Sequence, residues 1–369
     1  MLNNSPGEKK EYLTQQLITY IGNKRALLGF IEEGIARIQK KLQKKKLRMA
    51  DIFSGSGIVA RFFKQYSDLL IVNDMENYSR VINECYLSNE DEIDMPLLQN
   101  YYREMQAELS LPLKRGIVSE LYAPLDDGNI KAGERVFFTS RNAMYMDTAR
   151  QLIMKIPKEK QKYFLAPLLS EVSVHANTAG VFKGFYKERE TKIGQFGGSN
   201  QDALSRIKGD IDLPFPVFSN FNCETIVYNG DSNKIAETIP EHDVAYLDPP
   251  YNQHPYGSNY FMLNLVLDYE YPENPSAVSG IPENWNRSFY NKKSKALDSL
   301  TELVEKIKSR YILISFNSEG FVKYGEMTSM LEKAGKYEVL ETKYNTFRGS
   351  RNLSKRETHV KEYLFILEK

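Results

Sequence analysis

Apolar residues recur along this chain at two spacings, one typical of helices and the other of buried strands. Residues 24–44 carry a helical stripe of apolar side chains that ends in a cluster of lysines, which suits the C-terminal end of a helix. Short apolar runs at 49–51, 69–74, 224–228 and 243–247 predict four strands. The runs stop at or just before an aspartate, namely Asp51, Asp74, Asp231 and Asp248. The pattern therefore predicts an open, mostly parallel α/β sheet with ligands at the carboxyl ends of its strands.

The last third of the chain predicts a C-terminal antiparallel hairpin. Helices at 293–308 and 321–334 flank a strand at 311–315, and Gly335 stands where it would end the second helix. Strands at 337–346 and 358–367 then enclose a basic loop. Before these elements, residues 252–261 are polar and aromatic, a composition that does not predict a core element.

Between residues 90 and 222 the alternation of strands and helices is hard to follow. This region predicts helices near 93–109, 142–155 and 158–175. We interpret residues 91–222 as an inserted, mostly helical domain within a core domain formed by residues 1–90 and 223–369. The length of 369 residues also suggests about two domains.

Composition narrows the class of protein. With 41% hydrophobic and 26% charged residues the chain can bury a sizeable core. It has no apolar run of about 20 residues and no apolar signal sequence at its start, so we expect a cytoplasmic protein without a membrane span. Cys85 and Cys223 lie far apart and form no metal-ligand spacing, so neither a disulfide framework nor a bound metal is expected.

The run Asp248, Pro249, Pro250, Tyr251 ends the strand at 243–247. Proline cannot donate a ladder hydrogen bond and fixes its own φ angle, so the chain must leave the sheet here in a stiff turn. Such a turn brings together a carboxylate, a carbonyl and an aromatic ring. Methyl transfer to an exocyclic amine requires two acceptors for the amine hydrogens and a flat surface for the base. An ordinary turn at a strand end is the alternative interpretation.

A second motif joins the first predicted strand to the helix at 58–63. It contains Asp51, Phe53, Gly55 and Gly57, and its glycines allow the backbone to approach a ligand closely. The carboxylate of Asp74, at the end of the next strand, can accept both hydroxyl groups of a ribose. The same stretch also fits the fingerprint of dinucleotide-binding enzymes, so a nicotinamide-dependent oxidoreductase is an alternative.

Together these motifs resemble those of the adenine-N6 DNA methyltransferases of the Dam-like group, also called the D12 or alpha class. Residues 248–251 resemble the catalytic tetrapeptide, and the order of the motifs along the chain points to this group. An aromatic residue, a glycine and a lysine at 20–24 resemble the N-terminal motif of the family. The resemblance implies a Rossmann-like methyltransferase sheet, with residues 91–222 as a target-recognition region.

The same resemblance implies a site-specific enzyme that transfers a methyl group from S-adenosylmethionine to N6 of an adenine flipped out of double-stranded DNA. Tyr20 and Asp231 would contact the adenine of the cofactor, and Lys24 would lie near Asp248. Tyr251 would stack on the target base. Such an enzyme is expected to be the modification enzyme of a restriction-modification system, with a cognate restriction endonuclease as a candidate partner.

Two loops are candidates for DNA binding. The loop at 177–200 interleaves glycines with amide, basic and aromatic residues, which suits contacts to phosphates and base edges. A glycine-rich surface loop is the alternative. Residues 343–361 contain six basic residues and one acid, although the net charge of the whole chain is only +1. The candidate DNA-binding residues are Asn177, Lys183, Lys187, Gln195, His254, Arg348, Arg351, Lys355 and Arg356.

Three other functions stay open from the sequence. An RNA or cytosine-N4 amino-methyltransferase would use a similar site, although an aspartate at position 248 favours adenine. A non-catalytic DNA-binding protein would account for the basic loops without requiring Asp248. A nicotinamide-dependent oxidoreductase would account for the glycine-rich turn but not for the tetrapeptide.

Overall fold

The computed structural model describes residues 7–198, 203–345 and 359–369. Within these ranges the chain forms one seven-stranded sheet with the order β3-β2-β1-β4-β5-β7-β6. The first five strands are parallel to one another, and β7 runs antiparallel to both β5 and β6. This arrangement confirms the predicted mostly parallel sheet with a C-terminal hairpin. The strands are β1 (Leu47–Asp51), β2 (Ser67–Asp74), β3 (Glu224–Asn229), β4 (His242–Leu247), β5 (Ser309–Asn317), β6 (Lys336–Asn345) and β7 (His359–Glu368).

Helices cover both faces of this sheet, and short 3-10 turns join several of them. The helices predicted from the apolar spacing are present with small changes at their ends. The helices are α1 (Lys10–Thr14), α2 (Leu28–Leu42), α3 (Ile58–Phe63), α4 (Asn77–Tyr86), α5 (Met95–Leu109), α6 (Ile117–Leu121), α7 (Ser140–Ile153), α8 (Lys158–Val174), α9 (Leu204–Lys208), α10 (Ser232–Thr238), α11 (Tyr256–Asn259), α12 (Phe261–Asp268), α13 (Ala296–Lys306) and α14 (Tyr324–Ala334).

Alternate residues of the inner strands β1, β2, β4, β5 and β7 enter two different hydrophobic clusters. In β1, Met49 packs into the cluster that holds α1–α8 and α12, whereas Ala50 packs into the cluster that holds α10, α13 and α14. This is the alternation of side chains expected for a strand buried on both faces. The order of the strands reverses between β1 and β4, because the chain adds β2 and β3 on one side and β5 on the other. Ligands of open α/β sheets bind at such a point.

The region predicted as an insert lies between β2 and β3. Its described residues, 91–198 and 203–222, contribute no strand to the sheet, and its helix α8 packs against α4 and α12. Most of its buried hydrophobic residues belong to the same cluster as one face of the sheet. The division of the chain at residues 90 and 222 stays a prediction.

The interpretation of residues 252–261 as lying outside the core is wrong for their second half. The structure buries Gly257, Tyr260 and Phe261, and helix α12 begins at Phe261. The apolar spacing did not predict α12, because nearly all of its residues are apolar and therefore give no helical period. In the described parts of the chain, no helix is both long enough and apolar enough to cross a membrane.

Candidate active site

A cleft of about 850 Å³ opens at the carboxyl ends of β1, β2 and β4, where the strand order reverses. The turn after β1 forms its floor. Gly55 and Gly57 have φ angles of 50° and 75°, in the left-handed region that side chains disfavour. A Cβ atom on Gly55 would lie only 2.6 Å from the Tyr20 ring. Gly55 is therefore required both by its backbone conformation and by the close approach of an aromatic wall, and Gly57 by its backbone conformation and by the nearby Asn83 side chain.

Tyr20 forms that wall as the middle ring of an aromatic stack. Its ring centre lies 4.8 Å from those of both Tyr256 and Tyr260. The hydroxyl of Tyr256 donates a hydrogen bond to the Ile21 carbonyl, and the Ile21 amide donates one to the hydroxyl of Tyr260. Helix α11 and the residue after it thus hold the turn at residues 20–24 in place. No sequence pattern indicates this contact, which joins residues more than 200 positions apart.

Two acids line the cleft after β2. The carboxylate of Asp74 accepts hydrogen bonds from the Gly55 and Glu76 amides at 2.8 and 2.9 Å. Glu76 is buried and accepts a hydrogen bond of 2.8 Å from the Asn264 side chain. Burial raises the pKa of Asp74 to about 6 and that of Glu76 to about 7. Both side chains line the cleft, and the sequence singled out only Asp74 for a ribose contact, which stays a prediction.

The other predicted cofactor residues take different positions. Phe53 lines the cleft and packs edge-on against Tyr290. Asp51 lies fully buried beneath the cleft, where burial, together with the nearby Asp248 and Asp74 carboxylates, raises its pKa well above the usual value.

Asp231 does not line the cleft, although Gly230 and Ser232 on either side of it do. Its side chain accepts hydrogen bonds from the Asn233 and Lys234 amides and so caps helix α10. In this conformation the Asp231 carboxylate serves as a helix cap next to the cleft, and its contact with the adenine of the cofactor stays a prediction. An acid directly before a helix is as typical of an N-cap as of a ligand.

Asp248 and Lys24 form an ion pair at the centre of the cleft. The Lys24 ammonium lies 2.8 Å from Oδ2 of Asp248, and the two side chains are only 4% and 16% exposed. Lys24 also donates a hydrogen bond to the Gly22 carbonyl. Burial acts to lower the pKa of Lys24, but the Asp248 carboxylate raises it, and the net direction is well above the usual value. Lys24 is therefore a fixed cation at neutral pH.

The second oxygen of Asp248 has a different environment. Among the described residues, Oδ1 is buried and has no hydrogen-bond partner. Burial raises the pKa of Asp248, and the neighbouring Lys24 opposes that shift. A buried acceptor without a partner is costly for a folded protein, so it marks a place where a ligand can donate a hydrogen bond.

The rest of the tetrapeptide surrounds this acceptor. Pro250 lines the cleft, and Pro249 is buried at the start of the turn. The Tyr251 carbonyl accepts a hydrogen bond from the Phe321 amide, which ties the turn to the segment before α14. The Lys24 ammonium lies 5.6 Å from the centre of the Tyr251 ring. The tetrapeptide is therefore held by Lys24 at one end and by the segment before α14 at the other.

Glu362 on β7 is a further acid near this pair, which the sequence did not single out. Its side chain is buried, and its Oε2 atom has no hydrogen-bond partner within the described ranges. Burial raises its pKa to about 7, with Lys24 opposing and Asp248 adding to the shift. Only the pairing of β7 with β5, which sets Glu362 opposite Asn317, brings it to the cleft edge of the sheet.

In the loop at 177–200, one predicted DNA-binding residue, Asn177, has a structural role instead. Asn177 is fully buried, and its side-chain amide donates to the carbonyls of Val136 and Gln195 while its oxygen accepts from the Gly197 amide. Every polar atom of this side chain thus holds the loop together, so a contact between Asn177 and a base is not available in this conformation. Residues 199 and 200 lie outside the described residues.

The other predicted DNA-binding residues are more accessible. Lys183 and His254 are exposed, and Lys187 and Gln195 are half-buried. Lys187 lies over the Phe185 ring at 4.8 Å. Arg348, Arg351, Lys355 and Arg356 lie outside the described residues. The strands that lead to them, β6 and β7, reach the same edge of the sheet as the carboxyl end of β5, which is the edge of the cleft.

The charge of the cleft restricts what it can bind. Four acids line it (Asp51, Asp74, Glu76 and Asp248), whereas Lys24 is the one basic residue in the lining among the described residues, and it is paired with Asp248. At neutral pH Asp74 is largely ionised and Glu76 partly so, while Lys24 and Asp248 balance each other, so the lining favours a ligand with a positive charge over one with a pyrophosphate.

Comparisons with known proteins agree with this geometry. Residues 20–330 match the model of the family described as D12 class N6 adenine-specific DNA methyltransferase. The chain is 32% identical over 362 residues to the type II methyltransferase M.NlaIII of Neisseria lactamica, covering 95% of this chain and 99% of that protein. It is 29% identical over 362 residues to the type II methyltransferase M.CviAII of Paramecium bursaria Chlorella virus 1, covering 95% and 98%. It is 26% identical to the modification methylase StsI of Streptococcus sanguinis, covering 95% of this chain and 52% of that protein.

Proposed function

The chain belongs to the D12 class N6 adenine-specific DNA methyltransferases, and on this premise we propose that it transfers a methyl group from S-adenosylmethionine to N6 of an adenine flipped out of duplex DNA. The observation that carries the proposal is the buried Oδ1 of Asp248, which has no partner among the described residues and lies beside an oxygen that Lys24 holds in place. Such an atom is ready to accept a hydrogen bond from an amine that enters the cleft.

The residues of the tetrapeptide would act on the amine. The N6 lone pair of adenine is delocalised into the ring, so the amine becomes nucleophilic only when its hydrogens are held out of the ring plane. Asp248 would accept one hydrogen and the Pro249 carbonyl the other. The bond to the charged carboxylate would strengthen as positive charge develops on the nitrogen. Lys24 would keep Asp248 ionised and fix the orientation of its carboxylate. Tyr251 would stack on the base.

The residues around the glycine turn fit a nucleoside with a cationic sulfur. Asp74 and Glu76 are placed to accept the ribose hydroxyl groups, and Phe53 and Tyr20 offer apolar surface beside them. The acids of the cleft would favour the sulfonium charge. When bound, S-adenosylmethionine supplies an electrophilic methyl group without a metal.

The acidic lining does not suit the pyrophosphate of a nicotinamide cofactor. Together with the family assignment, it argues against an oxidoreductase. The family also argues against a non-catalytic DNA-binding protein and against RNA or cytosine-N4 as the target.

The choice of target would depend on residues 91–222. A target base lies inside the duplex, so the enzyme would have to flip it out at a cost of a few kcal/mol, offset by contacts with the protein. Lys183, Lys187, Gln195 and His254 remain candidates for these contacts, together with the basic residues of the hairpin loop. The relatives named as type II methyltransferases support a role as the modification enzyme of a restriction-modification system, with a cognate endonuclease as its partner.

Substitution of Asp248 tests the central assignment. Asp248→Asn should lower methyl transfer by about 10²–10³, a typical loss when one preorganised charge-stabilising group is removed. Binding of S-adenosylmethionine, measured by calorimetry, should stay within a few-fold of wild type. The matched variant Asp74→Asn should show the opposite pattern, with weaker cofactor binding. Loss of cofactor binding in Asp248→Asn would show that Asp248 belongs to the cofactor site and refute its role on the amine.

A further inference from the structure

We propose that residues 285–295, here called the 285–295 loop, bind the phosphates of the DNA strand that enters the cleft. This proposal rests on the proposed function, because it concerns how the duplex is held while an adenine occupies the site. The loop lies outside both regions that the sequence suggested for DNA binding.

The loop carries an uncompensated positive charge. It contains Arg287, Lys292, Lys293 and Lys295, and no acid occurs between Glu283 and Asp298. All four basic side chains are exposed. Within the described part of the chain, none of them forms an ion pair with a carboxylate, whereas other surface lysines such as Lys44 and Lys306 do. These four charges are therefore free to meet phosphates.

Hydrogen bonds fix the loop to both halves of the active site. The Asn286 side chain donates to the Met75 carbonyl at 3.1 Å and lies 3.4 Å from the Glu76 carboxylate, on the cofactor side. The Asn291 side chain donates to the Asn252 carbonyl at 2.8 Å, directly after the catalytic tetrapeptide. The loop thus bridges the place proposed for the ribose and the place proposed for the target base.

Anchoring residues and basic residues alternate along this bridge. Asn286, Ser288 and Asn291 line the cleft. Tyr290 is buried and donates a hydrogen bond to the Asn233 side chain, so it anchors the loop to α10. The basic residues between and after these anchors are held at the rim of the cleft. DNA must pass this rim to present a base.

Two aromatic residues lie among the charges. Phe289 is 56% exposed, and the Lys292 ammonium lies 5.2 Å from its ring centre. Arg287 packs over the Trp285 ring at 4.1 Å and donates to the carbonyls of Trp285 and Glu283, which fixes its orientation. Phe289 is thus an exposed aromatic ring between basic residues, which suits a nucleic acid, since the ring can stack on a base while the cations contact the backbone.

The test compares two double variants of equal charge. Lys292→Gln/Lys293→Gln removes two cations from the loop. Lys40→Gln/Lys45→Gln removes two exposed lysines at the other edge of the sheet, where α2 ends and β1 begins. Affinity is measured by fluorescence anisotropy at several salt concentrations. The probes are a short duplex that accepts label from tritiated S-adenosylmethionine and a scrambled duplex that does not.

We expect the loop variant to bind both duplexes more weakly and to lower the slope of log affinity against log salt by about 0.9 for each phosphate that the protein no longer neutralises. Its affinity for S-adenosylmethionine should equal that of wild type, which also shows that the site is folded. A loop variant with the slope and affinity of the control variant would overturn the proposal. If wild type binds neither duplex and transfers no label, the proposed function fails instead.

Discussion

Replacing Lys24 by methionine removes the cation beside Asp248 while keeping a side chain of similar length. Asp248 can accept a hydrogen bond from the amine at full strength only as a carboxylate. Burial raises its pKa, and Lys24 is the group that opposes this shift. In Lys24→Met the pKa of Asp248 should therefore rise further, so the acid limb of the pH–rate profile should move to higher pH.

The size of the effect follows from the geometry. Two unit charges 2.8 Å apart attract each other by about 6 kcal/mol at the effective dielectric constant of about 20 that suits protein sites. Desolvation offsets part of this attraction, and removal of one partner from a buried ion pair typically costs about 3–5 kcal/mol. If about 3 kcal/mol of this cost falls on the ionised form of Asp248, methyl transfer in the acid limb should fall by about a hundredfold.

The assay is single-turnover transfer of tritiated methyl groups to duplex DNA across a range of pH. Lys24→Arg keeps a cation beside Asp248 and should hold the acid limb near its wild-type position. Lys64→Met is the matched control for removal of a buried lysine, because Lys64 is fully buried but donates to the Leu87 and Ser88 carbonyls and not to an acid. An acid limb that stays in place in Lys24→Met, or that moves equally in Lys64→Met, would refute the reasoning.

Two further predictions concern the cofactor and the insert. The affinity for S-adenosylmethionine should fall as the pH is lowered through about 7 and then about 6, because protonation of Glu76 and then Asp74 removes acceptors for the ribose. In calorimetric titrations, Glu76→Gln should remove the upper of these two steps. If the pH dependence of cofactor affinity in Glu76→Gln equals that of wild type, Glu76 does not have this role. Asn177→Ala should lower the free energy of unfolding by about 1–3 kcal/mol for each buried partner left unpaired. Lys183→Ala should weaken duplex binding without changing thermal stability. An unchanged melting temperature in Asn177→Ala would contradict the structural role of Asn177.

The sequence predicted the sheet well because its signals are local. A buried parallel strand is a short apolar run, and the aspartate that ends it lies at the carboxyl edge whatever the strand order. We could therefore predict, without knowing the order of the strands, that β1, β2 and β4 end at one edge of the sheet. The same reasoning places Asp51, Asp74 and Asp248 at that edge. Helix α12 was missed for the opposite reason, since a helix buried on all sides has no apolar period to detect.

The roles of single polar residues were harder to predict. Asn177 and Gln195 both stood in a glycine-rich loop, and a side chain that satisfies buried backbone groups looks the same in sequence as one that faces a ligand. The sequence shows the basic residues at 287–295 but not their position at the rim of the cleft. That position depends on hydrogen bonds of Asn286 and Asn291, which hold the loop there. Neither of these hydrogen bonds joins neighbours in the sequence.

Glu362 shows most clearly how the strand order completes the site. It lies 338 positions after Lys24 in the chain, yet the antiparallel pairing of β7 with β5 sets it at the edge where Lys24 and Asp248 meet. Two acids and one lysine share this buried space, so with both acids ionised the group would carry a net negative charge. A pKa of about 7 lets Glu362 take up a proton near neutral pH, which leaves Lys24 to balance Asp248 alone. The closing hairpin therefore contributes a titrating acid to the active site as well as the strands that lead to the basic loop.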